Sequence, residues 1–167
     1  ALIDSPQVDG ITFTGSFDVG MGIYQSFGKG RWVRPTILEL GGKNPSIISR
    51  HADLERAAIG VMRSAFGLQG QKCSANSRIF VEKPVKEAFT QKLLDLTSKL
   101  VVGDPTEKRV YLGPVINESG YRDFSTFTEE LSGAGEIVFG GKQITTGDMA
   151  HGYFCEPTIA DNVPMSH

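Results

Sequence analysis

The sequence predicts an α/β fold, a three-layer αβα sandwich built around a largely parallel sheet. Short runs rich in β-branched and aromatic residues alternate along the chain with longer segments whose apolar residues recur at helical spacing. This alternation of strands and helices is typical of a sheet covered by helices. With 167 residues, of which 40% are hydrophobic and 22% are charged, the chain is long enough to bury a globular core.

The first predicted strand covers residues 10–15, a β-branched and aromatic run that ends in glycine. A helix is predicted to follow over residues 18–29, because Val19, Ile23 and Phe27 fall on one helical face. An Arg-Pro pair then ends that helix, since the residue before a proline is biased away from helical geometry.

Two further strands are predicted at residues 36–40 and 45–49, and a pair of glycines separates them. Asp53 is a suitable N-cap for a second helix, in which apolar residues recur at helical spacing through Phe66. Gly67 is expected to end this helix.

In the second half of the chain, a strand is predicted at residues 78–82. Pro84 is expected to open a helix that runs through Leu100, and Asn117 to cap another that reaches about Leu131. The last two predicted strands occupy residues 136–139 and 155–159.

Composition argues against several classes of function. The net charge is −2, with 17 basic and 19 acidic residues and no basic stripe, so nucleic-acid binding is not expected. No apolar run approaches the roughly 18 residues that a membrane span needs. Leu2 is followed within two residues by charged and turn-forming residues, so we expect no signal peptide and a cytoplasmic location, or the mitochondrial matrix if the source is eukaryotic.

Metal binding is not expected either. The three histidines, His51, His151 and His167, lie far apart and not at the spacing of metal ligands. The two cysteines are too few for a metal cluster or a disulfide framework.

The two cysteines have different neighbours. Cys73 follows a glycine-containing loop and stands among small and polar residues, and the nearby Lys72 and Arg78 would favour its thiolate, the reactive form. A free cysteine is also commonly a small buried hydrophobe, so the neighbours of Cys73 leave both interpretations open. Cys155 lies in an apolar, strand-like stretch and is interpreted as structural.

Glu39 stands between two leucines at the end of a predicted strand, directly before two glycines. It could be an ordinary exposed strand residue. It could also project into a cleft and act as a general base, because ligands bind at the carboxyl ends of strands in open α/β sheets.

The turn at Gly15 and Ser16 joins a strand to a helix, and a helix start offers N–H groups that suit a phosphate. Ser16 could equally be an N-cap only. The G-x-G-x-x-G dinucleotide fingerprint is absent, because Gly20 and Gly22 are followed by Gln25 in place of the last glycine.

Taken together, these stretches resemble the aldehyde dehydrogenase superfamily, in the family's order and over essentially the whole chain. The matching stretches are Phe13–Ser16 with Gly20, Leu38–Pro45, Gly70–Cys73 with Arg78, and Gly113–Pro114. The run from Ser64 to Arg78 is most similar to the branch of 1-pyrroline-5-carboxylate (glutamate semialdehyde) dehydrogenases of proline catabolism.

The resemblance implies a catalytic role for two residues. Cys73 would attack the aldehyde carbon, and its own backbone N–H would help to hold the oxyanion. Hydride would pass to NAD or NADP, and water activated by Glu39 would hydrolyse the resulting thioester. In the pyrroline-carboxylate branch, Ser74 would contact the substrate carboxylate.

The resemblance also implies cofactor contacts. Gly15, Ser16 and Gly20 would lie by the cofactor pyrophosphate, and the backbone carbonyl of Leu40 near the carboxamide. Residues 1–40 would then be the end of an NAD-binding domain and residues 41–167 part of a catalytic domain.

Much of the family's length has no counterpart in this sequence, including most of the cofactor-binding half and the oligomerisation segment. We therefore expect a catalytic-domain fragment that binds NAD weakly on its own, from a full-length protein that forms homo-oligomers. An aldehyde dehydrogenase of other substrate range, and an inactive module that serves folding or assembly, remain the alternatives.

Overall fold

The computed structural model describes residues 2–166, so Ala1 and His167 lie outside the described part of the chain. Within residues 2–166 the chain forms four α-helices and six β-strands. The helices are α1 (Phe17–Gly28), α2 (Leu54–Phe66), α3 (Lys86–Thr97) and α4 (Glu118–Ala134). The strands are β1 (Ile11–Gly15), β2 (Thr36–Leu40), β3 (Asn44–Ile48), β4 (Asn76–Val81), β5 (Glu136–Phe139) and β6 (Ile159–Asp161).

The strands of the described residues pair as three two-stranded sheets. β1 and β2 run parallel, β3 and β4 also run parallel, and β5 and β6 run antiparallel. α1 connects β1 to β2, and α2 connects β3 to β4, so each parallel pair is joined through a helix. The predicted α/β class with mainly parallel pairing is therefore confirmed.

The chain divides into two compact units. Residues 2–43 and the short stretch Lys72–Ser74 form the first unit, and Asn44–Gln71 with residues 75–166 form the second. A division by packing does not show what either unit binds. The assignment of residues 1–40 to a cofactor-binding domain and of 41–167 to a catalytic domain therefore stays a prediction.

In the first unit, α1 packs on β1 and β2 and buries Ile23 and Phe27. The guanidinium carbon of Arg34 lies 3.8 Å from the centroid of the Phe27 ring, within the range of a cation–π contact. One terminal nitrogen of Arg34 donates to the carbonyl of Ser5 at 3.2 Å and to that of Val8 at 3.4 Å. Arg34 thereby ties the first turns of the chain to α1.

The core of the second unit lies where α2 and α3 pack against each other and α2 packs against β3 and β4. Its buried members come from β3, α2 and α3, and are Ile48, Ala58, Val61, Phe89 and Leu93. The predicted helical spacing of the apolar residues in α2 is confirmed, because Ala58 and Val61 are buried in this core.

The two predicted helix caps in this unit are confirmed. The Asp53 carboxylate accepts hydrogen bonds from the backbone N–H groups of Glu55 and Arg56, both at 3.1 Å. The Asn117 side chain accepts one from the N–H of Gly120 at 3.0 Å. These bonds satisfy donors that a helix start otherwise leaves without a partner.

Two predicted elements differ clearly from the structure in their bounds. The helix expected from Pro84 to Leu100 begins as a 3₁₀ turn, Lys83–Val85, and α3 ends at Thr97. The strand expected at residues 155–159 is reduced to one isolated bridge at Cys155, and β6 starts only at Ile159. Pro157 explains the second error, because it has no N–H to donate to a strand ladder.

Candidate active site

The predicted nucleophile lies in the loop between α2 and β4. Cys73 is exposed, and so are its neighbours Lys72 and Ser74. The interpretation of Cys73 as a buried small hydrophobe therefore does not describe this structure. These three residues group with the first unit, although the elements on either side of them belong to the second.

This grouping brings the predicted site residues into one unit. All seven of them belong to the first unit, and they are Gly15, Ser16, Gly20, Glu39, Leu40, Cys73 and Ser74. Their roles stay predictions, but the shared unit is the arrangement that a common site requires.

Glu39 lies next to the predicted cofactor turn in the strand register. In the parallel pairing of β1 with β2, Thr14 is opposite Glu39 and Gly15 is opposite Leu40. The carboxyl ends of both strands therefore meet at one edge, where ligands bind in α/β sheets. The Glu39 side chain is exposed and lies on the face opposite Leu40, since successive side chains of a strand alternate.

Ser16 is the N-cap of α1. Its hydroxyl oxygen accepts a hydrogen bond from the backbone N–H of Val19 at 3.4 Å. The N-cap interpretation of Ser16 is therefore confirmed. It does not conflict with a ligand at this helix start, because the other N–H groups of a first turn have no acceptor within the helix.

Gly20 and Leu40 pack against each other. A Cβ added to Gly20 would lie 2.6 Å from Cδ2 of Leu40, so the missing side chain lets α1 approach β2 closely. Gly41 differs, because an added Cβ would meet no described atom within 4 Å. The backbone after β2 is thus open to the approach of a ligand.

The segment that leads into Cys73 contains two residues that sequence reasoning missed. Gln69 and Gln71 both make hydrogen bonds with the backbone of residues 113–116. In the sequence, Gly70 between them indicated only a loop. Two glutamines within five residues of a candidate nucleophile were the available signal.

Beyond Cys73 the chain is fixed to β3. Ala75 is buried, and its carbonyl accepts a hydrogen bond from the side-chain amide of Asn44 at 3.3 Å. The amide nitrogen of Asn76 forms a short hydrogen bond with the Ser46 hydroxyl. β4 therefore starts from a firmly held position three residues after the nucleophile.

Cys155 differs from Cys73 in its environment. It is half-buried, and burial raises the pKa of its thiol to about 11. A thiol with that pKa is protonated and unreactive at neutral pH. The structure thus supports the interpretation of Cys155 as structural.

Cys155 also lines a cavity of about 400 Å³ inside the second unit, beside Asn76, Phe124 and Ile159. Neither Cys73 nor Glu39 is among the described residues that line it. We do not assign the chemistry to this cavity, because the two candidate catalytic residues face solvent elsewhere.

Between residues 2 and 166, no group of three or more His, Cys, Asp or Glu side chains is arranged to hold a metal ion. Over the same residues, no helix combines the length and the apolar character that crossing a membrane demands.

Comparison with known proteins gives a consistent result. Residues 1–167 match the model of the aldehyde dehydrogenase family. A 1-pyrroline-5-carboxylate dehydrogenase of Geobacillus kaustophilus is 39% identical over 166 residues, which are 97% of this chain and 32% of that protein. The enzyme of the same name from Bacillus subtilis is 37% identical over the same fractions. The chain thus spans about a third of the length of these curated relatives.

Solved structures show the same likeness. The 1-pyrroline-5-carboxylate dehydrogenase from Thermus with bound NAD superposes with a TM-score of 0.89 at 37% identity, over 98% of this chain and 31% of that one. A double mutant of the betaine aldehyde dehydrogenase of Staphylococcus aureus in complex with NAD⁺ gives a TM-score of 0.92 at 33% identity, over 98% of this chain and 33% of that one. The predicted αβα fold class is confirmed by these neighbours.

Proposed function

Because the chain belongs to the aldehyde dehydrogenase family, we propose that the protein carrying it oxidises an aldehyde to a carboxylate, with Cys73 as the nucleophile. The observation that carries the proposal is the common unit of Cys73, Glu39 and the Gly15–Ser16 turn. The exposure of Cys73 supports it, since a nucleophile must be open to its substrate.

In the proposed reaction, the Cys73 thiolate attacks the carbonyl carbon of the aldehyde, and a carbon–sulfur bond forms as the carbonyl becomes an oxyanion. The backbone N–H of Cys73 is a fixed donor that can stabilise this oxyanion. When hydride has left the carbon, a thioester remains. Glu39 takes a proton from water, the resulting hydroxide attacks the thioester, and the carbon–sulfur bond breaks to release the carboxylate and the thiolate.

NAD or NADP, when bound, accepts the hydride. The residues present fit such a cofactor in two respects. The exposed first turn of α1 behind Ser16 suits a pyrophosphate, and the open backbone at Gly41 leaves room for a ligand beside Leu40. Gly20 supports this indirectly, because its close packing on Leu40 sets the distance between α1 and β2.

The proposed substrate is glutamate semialdehyde, the open form of 1-pyrroline-5-carboxylate. The names of the relatives from Geobacillus and Bacillus support this choice. Ser74 directly follows the nucleophile and is exposed, so its hydroxyl is available to the substrate carboxylate. Betaine aldehyde is the specific alternative substrate, because two structures of the Staphylococcus enzyme superpose about as well as the Thermus enzyme, with TM-scores of 0.92 and 0.88 against 0.89. We also propose that the full-length protein is a cytoplasmic homo-oligomer.

The test is steady-state kinetics of the full-length gene product with glutamate semialdehyde, betaine aldehyde and short aliphatic aldehydes, following reduced nicotinamide by absorbance. We expect the highest kcat/KM for glutamate semialdehyde. Cys73→Ser should remove turnover with every aldehyde, and Cys155→Ser, the matched control, should retain it. Full activity of Cys73→Ser would overturn the proposal.

Glu39 has its own test. Glu39→Gln removes the base and keeps the shape, so hydride transfer should still occur once per site while thioester hydrolysis fails. We expect a burst of reduced nicotinamide followed by a steady-state rate at least about 100-fold lower, within the range that a positioned base contributes. A steady-state rate equal to that of the parent would exclude Glu39 as the base.

A further inference from the structure

We propose that Gln71, assisted by Gln69, is a positioning residue that fixes the backbone leading into Cys73. The inference rests on the proposed function, because it assigns a purpose to the loop only if Cys73 is the nucleophile. Neither glutamine touches a reacting atom in this scheme. They would affect the reaction rate only by fixing the direction in which the backbone enters the Cys73 loop.

The first observation is an unusual backbone directly before the loop. Leu68, Gln69 and Gly70 have φ values of 53°, 56° and 71°, so three consecutive residues adopt left-handed geometry. The N–H of Gln71 closes this turn by donating to the carbonyl of Leu68 at 2.9 Å. Residues other than glycine enter this region only at a cost in free energy, and such strain persists where surrounding contacts hold it in place.

Gln69 supplies the first of these contacts. With its amide oriented to satisfy both groups, the side-chain oxygen accepts from the N–H of Gly113 at 2.7 Å and the nitrogen donates to the carbonyl of Leu68 at 3.2 Å. The Gln69 side chain thus forms one hydrogen bond within the left-handed turn and another to a loop more than forty residues further along the chain.

Gln71 supplies the second contact. Its side-chain oxygen accepts a hydrogen bond from the backbone N–H of Ile116 at 3.1 Å, across 45 residues of sequence. The same amide lies beside Gly120, where an added Cβ would come within 3.2 Å of the Gln71 nitrogen. The first turn of α4 therefore leaves just enough room for this side chain.

The loop that receives both glutamines is itself fixed. Leu112 is 4% exposed, and its carbonyl accepts from the N–H of Gly103 at 3.0 Å. The N–H of Val115 donates to the carbonyl of Tyr153 at 2.9 Å. Gln69 and Gln71 consequently bond to a backbone that other parts of the chain hold on both sides.

Only Lys72, Cys73 and Ser74 remain between this anchor and the next one. On the far side, buried Ala75 accepts a hydrogen bond from Asn44, as described above. Three residues with both ends fixed have few conformations available to them. The Gln71–Ile116 bond thus limits the directions that the Cys73 thiolate and its backbone N–H can take, and a misplacement of about 1 Å can cost about 100-fold in rate.

The test uses the full-length enzyme with three variants. Gln71→Met keeps the length of the side chain and removes the acceptor for Ile116. Gln71→Glu keeps an acceptor oxygen at the same reach. Gln91→Met is the matched control, because Gln91 is an exposed glutamine on α3 whose side-chain nitrogen donates to a surface carboxylate, that of Asp95, at 2.8 Å.

For each variant we would measure kcat, KM for NAD and the thermal midpoint, on the alkaline plateau of the pH profile where an added carboxylate does not limit ionisation of the thiol. We expect Gln71→Met to lower kcat by about 10- to 100-fold while KM for NAD stays within about twofold. Gln71→Glu should restore kcat to within about threefold of the parent. Gln91→Met should match the parent in kcat. The thermal midpoints of all three variants should stay close to that of the parent, with a small decrease in Gln71→Met, because that variant loses one hydrogen bond at an exposed side chain.

An unchanged kcat in Gln71→Met, or an equal loss in Gln71→Met and Gln71→Glu, would overturn the positioning role, and so would a change confined to KM for NAD. Cys73→Ser, assayed in parallel, keeps the two proposals apart. If Cys73→Ser is inactive and Gln71→Met is fully active, only the positioning role fails. If Cys73→Ser is fully active, the proposed nucleophile fails and the positioning role fails with it.

Discussion

Alkylation followed together with activity distinguishes a catalytic thiol at Cys73 from a thiol that is merely exposed. Burial raises the pKa of the Cys155 thiol to about 11, so roughly one molecule in 10⁴ carries a thiolate there at pH 7. An ordinary exposed thiol with a pKa of about 8.5 is ionised in about 3% of molecules at that pH. Such an ordinary exposed thiol is therefore labelled about 300-fold faster than Cys155, so faster labelling of exposed Cys73 does not by itself identify a nucleophile.

The informative quantity is the activity that remains as Cys73 becomes labelled. If Cys73 is the nucleophile, turnover must fall in proportion to the labelled fraction, because an alkylated sulfur cannot attack the aldehyde. We expect this proportionality with iodoacetamide on the full-length gene product, with labelling followed by peptide mass spectrometry and turnover by the absorbance of reduced nicotinamide.

Cys155→Ala is the control for this experiment and should leave both the Cys73 labelling rate and the activity unchanged. Full activity after complete labelling of Cys73 would refute the nucleophile while leaving the exposure of the residue intact. Equal, slow labelling of both cysteines would contradict the exposure itself.

Three further predictions concern stability, each measured by urea unfolding. Gly20→Ala should lower the free energy of unfolding by about 1 kcal/mol, because crowding of Leu40 outweighs the gain in helix propensity. Gly22→Ala, in open space on α1, should instead raise the free energy of unfolding by about 0.5–1 kcal/mol. A change of the same sign in both variants would contradict the packing argument. Leu68→Gly should raise the free energy of unfolding by about 0.5–1 kcal/mol, because glycine adopts the φ of 53° at this exposed position without strain. A decrease in the free energy of unfolding would show that the turn is not strained. Hydrogen bonds from Arg50 hold the pKa of the Glu82 carboxyl below its usual value, so the stabilisation is present at neutral pH and is lost as the pH falls through the lowered pKa. Glu82→Gln should be less stable than the parent at pH 7, and this difference in the free energy of unfolding should shrink as the pH is lowered into the acid range. A difference that does not change with pH would exclude this origin.

The elements that sequence reasoning placed correctly are those with local causes. Asp53 and Asn117 cap helices because a short polar side chain reaches the next N–H groups, and that reach needs no information from elsewhere in the chain. The β-branched runs of β1 and β2 are similarly local. The strand expected at residues 155–159 failed for a cause that is also local, because Pro157 has no N–H to donate to a ladder, and β5 pairs with Ile159–Asp161 beyond it.

The candidate site separates in the same way into local and distant causes. Cys73 and Glu39 could be selected from their residue types and immediate neighbours. Those neighbours do not indicate that Lys72–Ser74 groups with residues 2–43, while the elements on either side of it belong to the second unit. The left-handed turn is harder still, because leucine and glutamine do not favour that geometry and only Gly70 points to it. What holds the turn is a pair of hydrogen bonds to residues 113–116, one of them 45 residues away in sequence. The local backbone preferences of Leu68 and Gln69 thus oppose the left-handed turn before the nucleophile, and contacts that are distant in sequence impose it. This is the pattern expected where a backbone conformation is held for function at the expense of stability.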